Sequence, residues 1–530
     1  MLVLILKLLP LFLPLFILPL LIILFFNKIC SVAVFKNLNA SLTKTLKSNP
    51  LISQIIALRQ HKEVKFQWLS NLLVSSPSST FITRRPFGGK IVFTANPAIV
   101  EHILRTRFTI YEKGPNHKNS FRDVFGDGMF TTNGDAWKVQ RNIASHGFSS
   151  KYLHRFVDNF LDFELTERLI PLLSEATKNN KVYDFQDILK KFAFDNICMT
   201  SFGYDPAYLS PSSQNDKFSE AFDEAVMISE MRYRALHPII WKICRFFNIG
   251  YEKKLKEDIK VMQNFATSVV KPLKQRIIDS PTSEENKLKN VLERLLKHNP
   301  NLSDKYLVDM VNSAILAGRD TTSAALTWFF WVLHKNKRAE DEIVNEIRQK
   351  KVKAADVDHH HSHDSAVEEI KDMVYTHAAL CESMRLYPPI AINFREATTD
   401  DVLPDGTRVT KGTTVAYVPY AMGRMEKLWG PDWAEYRPER WLREEVDPST
   451  GEKRWRFVPR DPYSFPVFHA GPRICLGKDM AFMQMKRVVT GVLERFRVVP
   501  AVEDGFEPVY LVSLTAIMQG GFPVRFEKRI

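Results

Sequence analysis

Cysteine is scarce in this chain: Cys30, Cys198, Cys244, Cys381 and Cys475 are an odd set of five, scattered along 530 positions. That usage does not build a disulfide framework and points to a reducing compartment for the body of the chain. No internal repeat occurs at a fixed period, which argues against a solenoid or propeller. No nucleic-acid motif is present, and no basic run carries interleaved aromatics, so the formal charge of +13 is not read as a nucleic-acid footprint. Acidic residues are missing from the first 62 positions, which hold seven Lys and Arg, over half of that excess. Strand-like runs are also few, Lys90–Thr94 and Arg408–Tyr417 being the clearest.

What is present begins with an apolar segment. Leu8 to Phe26 is nineteen residues without a charge, long enough to span a hydrocarbon core of about 30 Å. Pro10, Pro14 and Pro19 are better tolerated in a membrane helix than in a soluble one. Lys28, Lys36, Lys44 and Lys47 follow, which by the positive-inside rule puts the body in the cytosol. The expectation is an uncleaved anchor over residues 1–30 and one large domain over 31–530. A signal peptide is the rival, with Ser31-Val-Ala33 as a poor cleavage site.

That domain reads as mainly α with a small β portion. Polar breaks fall at Ser75–Ser79, Asp279–Lys287 and Ala354–Asp364. The last holds His359, His360, His361 and His363, read as a solvated loop because no apolar pattern fixes their geometry. The longest helix is expected from Asp304 to about Leu333, after Ser303 as N-cap. It is apolar nearly all round and therefore buried. Yet its middle reads Ala317-Gly318-Arg319-Asp320-Thr321-Thr322. A helical glycine costs about 1 kcal/mol against alanine, and a buried acid needs partners; such local violations mark function.

Near the C-terminus stands Phe468-His-Ala-Gly471-Pro-Arg473-Ile-Cys475-Leu-Gly477, followed by a helix-compatible run Lys478–Phe496. A helix N-terminus just after a cysteine favours the anionic sulfur. Taken alone, Cys475 would be read as an inert buried thiol. The five spaced residues together resemble the cysteine-ligand loop of the cytochrome P450 superfamily, the haem-thiolate monooxygenases. The resemblance makes Cys475 the axial thiolate of a haem b iron. It also makes Arg473 a propionate partner, Phe468 a shield for the sulfur, and Gly471 and Gly477 points of close approach to a flat macrocycle.

Three further motifs fit that family. In that family Ala-Gly-x-Asp-Thr-Thr lies over the haem on the oxygen side, which implies catalytic proton delivery by Thr321 and Asp320 here. Taken alone, Thr321 would simply bond back within a kinked helix. Glu382-Ser-Met-Arg385 and Arg440 in Tyr436-Arg-Pro-Glu-Arg440-Trp441 imply a buried structural triad. Trp137 and Arg141, four apart on one helix face, imply a second propionate contact. With no dinucleotide fingerprint in the chain, NADPH electrons are expected through a partner flavoprotein reductase, with Lys478, Lys486 and Arg487 as candidate docking cations.

The stretches Phe192–Cys198, Ala317–Phe330, Thr376–Leu380, Tyr420–Met425 and Gly520–Val524 resemble plant fatty-acid ω-hydroxylases and relatives that oxidise jasmonoyl–amino acid conjugates. This implies attack on the terminal carbon of an aliphatic chain, a fatty acid first. It also implies an endoplasmic reticulum membrane location with a cytosolic catalytic domain. After Tyr387-Pro-Pro389, however, an apolar Ile390-Ala-Ile-Asn-Phe-Arg395 stands where relatives often carry a polar Asp-Ser-Lys element. That suits a bulkier hydrophobe such as a sterol side chain. A haem-thiolate isomerase or peroxygenase without a reductase, and a non-catalytic haem binder, are the competing classes.

Overall fold

The computed structural model describes residues 65–84, 89–145, 148, 150–210, 216–235, 237–279, 290–357, 366–446 and 453–529. The expected anchor over 1–30, the Ser31-Val-Ala33 cleavage site, Cys30 and the four clustered histidines lie outside them. Among the described residues no helix is long and apolar enough to cross a membrane.

Long helices dominate, as expected. The helix at the centre starts at Asp304, where Ser303 Oγ accepts from Tyr306 N at 3.2 Å, and continues to His334. It is not uniform. Leu316–Asp320 forms a π-helical turn between the α-helical segments Asp304–Ile315 and Thr321–His334. Such a turn widens the helix and disturbs its i→i−4 ladder locally. It coincides with the Ala317–Asp320 motif. From Thr322 to Leu333 every side chain is buried, so tertiary packing on all faces stabilises this segment.

Gly318 has its own reason to lack a side chain. A Cβ there would meet the Ile197 side chain at 2.5 Å. Ile197 lies on helix Phe185–Phe202, capped by Asp184 at its start and ended by Gly203 at φ 65°. This helix crosses the central one closely enough to need the glycine.

The main sheet has five strands in the order Thr80–Arg84, Lys90–Thr94, Thr414–Tyr417, Asn393–Ala397 and Tyr111–Glu112. Only Lys90–Thr94 with Thr414–Tyr417 pairs in parallel. Phe81 opposes Phe93, their rings stacked at 5.3 Å. The Ser75–Ser79 break is the turn leading into this sheet, with Ser79 in the left-handed region at φ 52°.

Two expectations need correction. Arg408–Tyr417 is not one strand. Arg408–Val409 pairs with Asp401–Val402, and Thr414–Tyr417 belongs to the main sheet. A turn closed by Thr413 N donating to Thr410 O at 2.9 Å, with Gly412 at φ 82°, separates them. The third break also starts later than read, because helix Lys337–Val357 continues through 354–357. The Asp279–Lys287 break does begin where helix Tyr251–Asp279 ends.

Candidate active site

The Cys475 loop folds as the motif requires. Phe468 ends a 3-10 turn Pro466–Phe468, and its carbonyl accepts from Cys475 N at 2.8 Å, closing the loop across seven residues. The Phe468 ring packs 5.2 Å from Phe482. Helix Lys478–Arg495 follows directly, with Gly477 at its N-cap. Gly471 stands at φ 65°, and a Cβ there would lie 2.0 Å from the Leu104 carbonyl oxygen. A close approach of backbone to backbone therefore selects a glycine here. At Gly477 a Cβ would clear Cys475 Sγ by 4.0 Å.

Cys475 keeps an accessible surface, although surrounding protein desolvates its thiol. Both hold for a group on the wall of a cleft. Desolvation raises the thiol above its ordinary range, while the Gly477 N–H and Arg141 pull the other way. The helix N-terminus expected to favour the thiolate is thus outweighed by burial in the protein alone.

Cations gather beside this loop. Arg473 donates to Thr132 O at 3.0 Å and Asn133 Oδ1 at 3.1 Å. Its guanidinium sits 4.3 Å from the centre of the Trp137 ring. Trp137 is buried on helix Gly134–Ser145, and Arg141, one turn on, lies 5.8 Å from the same ring. Arg141 also donates to Ile474 O at 2.6 Å, tying that helix to the residue before Cys475. Burial and the neighbouring charge of Arg395 push Arg473 down to about 9. Lys113, His117 and His469 are also depressed, first by burial and then by the cations around them, Lys113 ahead of the arginines for His117.

Lys113, Arg141, Arg395 and Arg473 therefore share one field, in which Glu112 is the acid acting on Arg473. Arg395 is 2% exposed, and its Nε has no hydrogen-bond partner; nor has His117 Nδ1. A desolvated cluster of this sign calls for carboxylates. An accessible cysteine beside it supplies a soft axial ligand. The residues present fit a haem: Cys475 would hold the iron, and Arg141, Arg395, Arg473 and Trp137 would hold its propionates.

The charge triad forms as expected. Glu382 and Arg385 are both fully buried and pair at 2.8 Å on helix Val374–Leu386. Arg440 Nε reaches Glu382 Oε1 at 3.1 Å, and Trp441 Nε1 donates to Glu382 Oε2 at 2.9 Å. Arg385 also donates to the carbonyls of Trp433 and Glu435 at 2.8 and 3.0 Å. Every charge is matched, and the segment before the cysteine loop is locked onto the helix.

On the central helix the π-turn is accessible where its flanks are not: Ala317 is exposed, and Gly318, Asp320 and Thr321 are partly so. Thr321 Oγ1 donates to Ala317 O at 2.6 Å, which leaves its oxygen lone pairs available as acceptors. Asp320 Oδ1 accepts from Arg319 Nε at 2.6 Å.

Strand Asn393–Ala397 serves two faces. Arg395 turns into the cation cluster, whereas Phe394, its neighbour on the opposite face, packs 5.4 Å from Tyr233. From there a run of rings continues through Phe121 and Phe125 to Phe130, each 6.1 Å from the last.

Lys113, His117, Arg319, Arg395 and His469 were not singled out by sequence. Arg395 had a usable signal, since strand alternation separates it from Phe394. The others converge only through the fold. Among the docking cations, Lys478 is exposed. The other two are committed: Lys486 Nζ donates to Ile370 O at 3.1 Å, and Arg487 is 8% exposed with ion pairs to Asp162 and Glu369.

Residues 79–519 match the cytochrome P450 family. The chain is 51% identical to cytochrome P450 94A2 and 50% to cytochrome P450 94A1, both of Vicia sativa, over 91% of this chain and 91% and 90% of theirs. It is 42% identical to cytochrome P450 94B1 of Arabidopsis thaliana over 92% of this chain and 94% of that one. With a cysteine loop, a propionate-ready cation cluster and a matched Glu-Arg-Arg triad in one body, the chain belongs to the cytochrome P450 family and is a haem-thiolate monooxygenase.

Proposed function

We propose that this monooxygenase hydroxylates the terminal carbon of an aliphatic chain, a fatty acid before others. In this reading it draws NADPH electrons from a partner flavoprotein reductase while anchored in the endoplasmic reticulum membrane by residues 1–30. The observation that carries the reading is the aromatic run from Phe394 through Tyr233 and Phe121 to Phe130. It joins the strand that bears Arg395, so an apolar wall and the cation cluster share one edge. A terminal C–H bond is stronger than its secondary neighbours, so selectivity has to come from geometry. An apolar wall that admits a chain end-on provides that geometry.

Haem held by Cys475 supplies the oxidising chemistry when bound. The chain's own residues do the rest. Trp137, Arg141, Arg395 and Arg473 orient the group through its propionates. Thr321, just after the widened turn, offers hydroxyl lone pairs to a proton-donating water, and Asp320 moves protons toward it. The aromatic run keeps bulk water away from the reacting carbon. Phe394, in place of a polar element, favours a second reading, a sterol side chain; the subfamily resemblance keeps a jasmonoyl–amino acid conjugate as a further alternative.

The test is reconstitution with reductase and NADPH against saturated fatty acids, a sterol and a jasmonoyl conjugate, with the hydroxyl position read by mass spectrometry. A terminal hydroxyl on the fatty acid supports the reading. Hydroxylation within the chain, or preference for the sterol, overturns the substrate assignment. Turnover without reductase overturns the monooxygenation scheme in favour of an isomerase or peroxygenase.

A further inference from the structure

Arg319 projects from the π-turn of the central helix and is 1% exposed, and its neighbour Asp320 is one of two carboxylates that hold it. The guanidinium is divided. Its Nε donates to Asp320 Oδ1 at 2.6 Å, one terminal nitrogen donates to Ser219 Oγ at 3.2 Å, and the other to Asp223 Oδ1. Its plane also lies 4.6 Å from the Phe222 ring. Ser219, Phe222 and Asp223 all belong to helix Asp216–Arg234. The second oxygen of Asp223 accepts from Lys190 on helix Phe185–Phe202.

Helix Asp216–Arg234 also reaches the aromatic run. Tyr233 near its end carries the contact with Phe394. Glu230 accepts from Ser513 Oγ at 2.8 Å, and Arg234 donates to Val512 O at 3.2 Å. One helix thus touches the wall at one end and, through a single buried cation, the turn that carries Asp320 and Thr321. A buried guanidinium must keep its donors satisfied. If helix Asp216–Arg234 shifts and Asp223 withdraws, the balance of Arg319 moves onto Asp320.

We propose that Arg319 is a positioning residue that ties the placement of helix Asp216–Arg234 to the orientation of the Asp320 carboxylate beside Thr321. With Asp223 engaged, the guanidinium is shared and Asp320 is held on one oxygen. With Asp223 released, Arg319 claims Asp320 more fully and draws it from Thr321. A placement of helix Asp216–Arg234 that keeps Asp223 on Arg319 therefore prepares the turn for proton delivery. The proposal rests on Asp320 and Thr321 serving the oxidation, but its first readout does not depend on the substrate.

That readout is amide hydrogen exchange of the resting holoenzyme with Asp223→Asn. Exchange should rise roughly tenfold in both 216–234 and 316–321, and Asp223→Glu should restore both. A rise confined to 216–234 overturns the link, as does no rise at all. If Asp223→Asn fails to retain haem, Ser219→Ala tests the same connection, with a smaller rise expected in the same two segments. No change in 316–321 then overturns it. In turnover, Asp223→Asn should lower product formed per NADPH consumed while leaving the half-saturating substrate concentration within about twofold. A change in half-saturation alone overturns the positioning role.

Discussion

Burial raises the Cys475 thiol pKa, while the Gly477 N–H at the start of the following helix and Arg141 favour the thiolate, and an iron ligand has to be deprotonated. Cys475→Ser should therefore fold and lose the strongly red-shifted Soret band of the reduced, carbon-monoxide-bound protein. Retention of that band would overturn the assignment of the axial ligand. A second buried group behaves independently of the site. Glu164 is 4% exposed, and burial together with the Asp195 carboxylate pushes it up to about 8, against Arg168. Its folded pKa lies above that of an unfolded glutamate. The stability it contributes is therefore fully present below about pH 4.5 and is lost as pH rises toward 8. Thermal melts should show wild type losing stability between pH 6 and 8.5, on the order of 1–3 kcal/mol, and Glu164→Gln flattening that slope. An unchanged slope in the variant would place the pH dependence elsewhere.

Helices and loops here meet through positions that exclude a side chain. At Gly471 both the left-handed backbone and the Leu104 carbonyl at 2.0 Å from a built Cβ oppose substitution. Gly471→Ala should cost about 2 kcal/mol or more and lower haem occupancy, read as the ratio of Soret to protein absorbance. The pattern around Cys475 made this glycine legible as required, and the fold adds a reason the pattern did not carry: the loop packs on the turn His102–Thr106. The central helix shows the same division. Its extent and burial follow from its apolar residues and from Ser303 as cap, whereas its π-turn depends on neighbours, among them Ile197 against Gly318.

Across the whole molecule, the Glu382 network fastens the segment that precedes the cysteine loop. Glu382→Gln leaves Arg385 and Arg440 buried with a weakened partner and should cost about 3–5 kcal/mol. Loss of haem-bound protein in expression trials checks this, and normal haem incorporation would show the triad dispensable. Residues 1–30 raise a question of location. Their deletion should move the protein from the membrane to the soluble fraction while the reduced carbon-monoxide spectrum is kept. A deleted form still sedimenting with membranes would show that the anchor lies elsewhere.

Local patterns carried most of the chemistry in the chain itself. The spacing around Cys475, the i,i+3 pair Glu382 and Arg385, the i,i+4 pair Trp137 and Arg141, and the Asp320–Thr321 motif each lie within one element. Their geometry follows from the helix or loop that holds them. Tertiary structure decided which distant charges meet. Lys113 and His117 share one segment, four residues apart, but Arg395 and His469 come from others, and no periodicity brings the three segments together. Arg319 acquires its role only because Asp223, 96 residues earlier, is folded against it. Lys486 and Arg487 look like free surface cations until helix Lys478–Arg495 is packed and their donors are taken up. Short-range order is written in neighbouring residues, whereas convergence of charges depends on how whole elements pack, because burial makes each unpaired donor costly enough to select its partner.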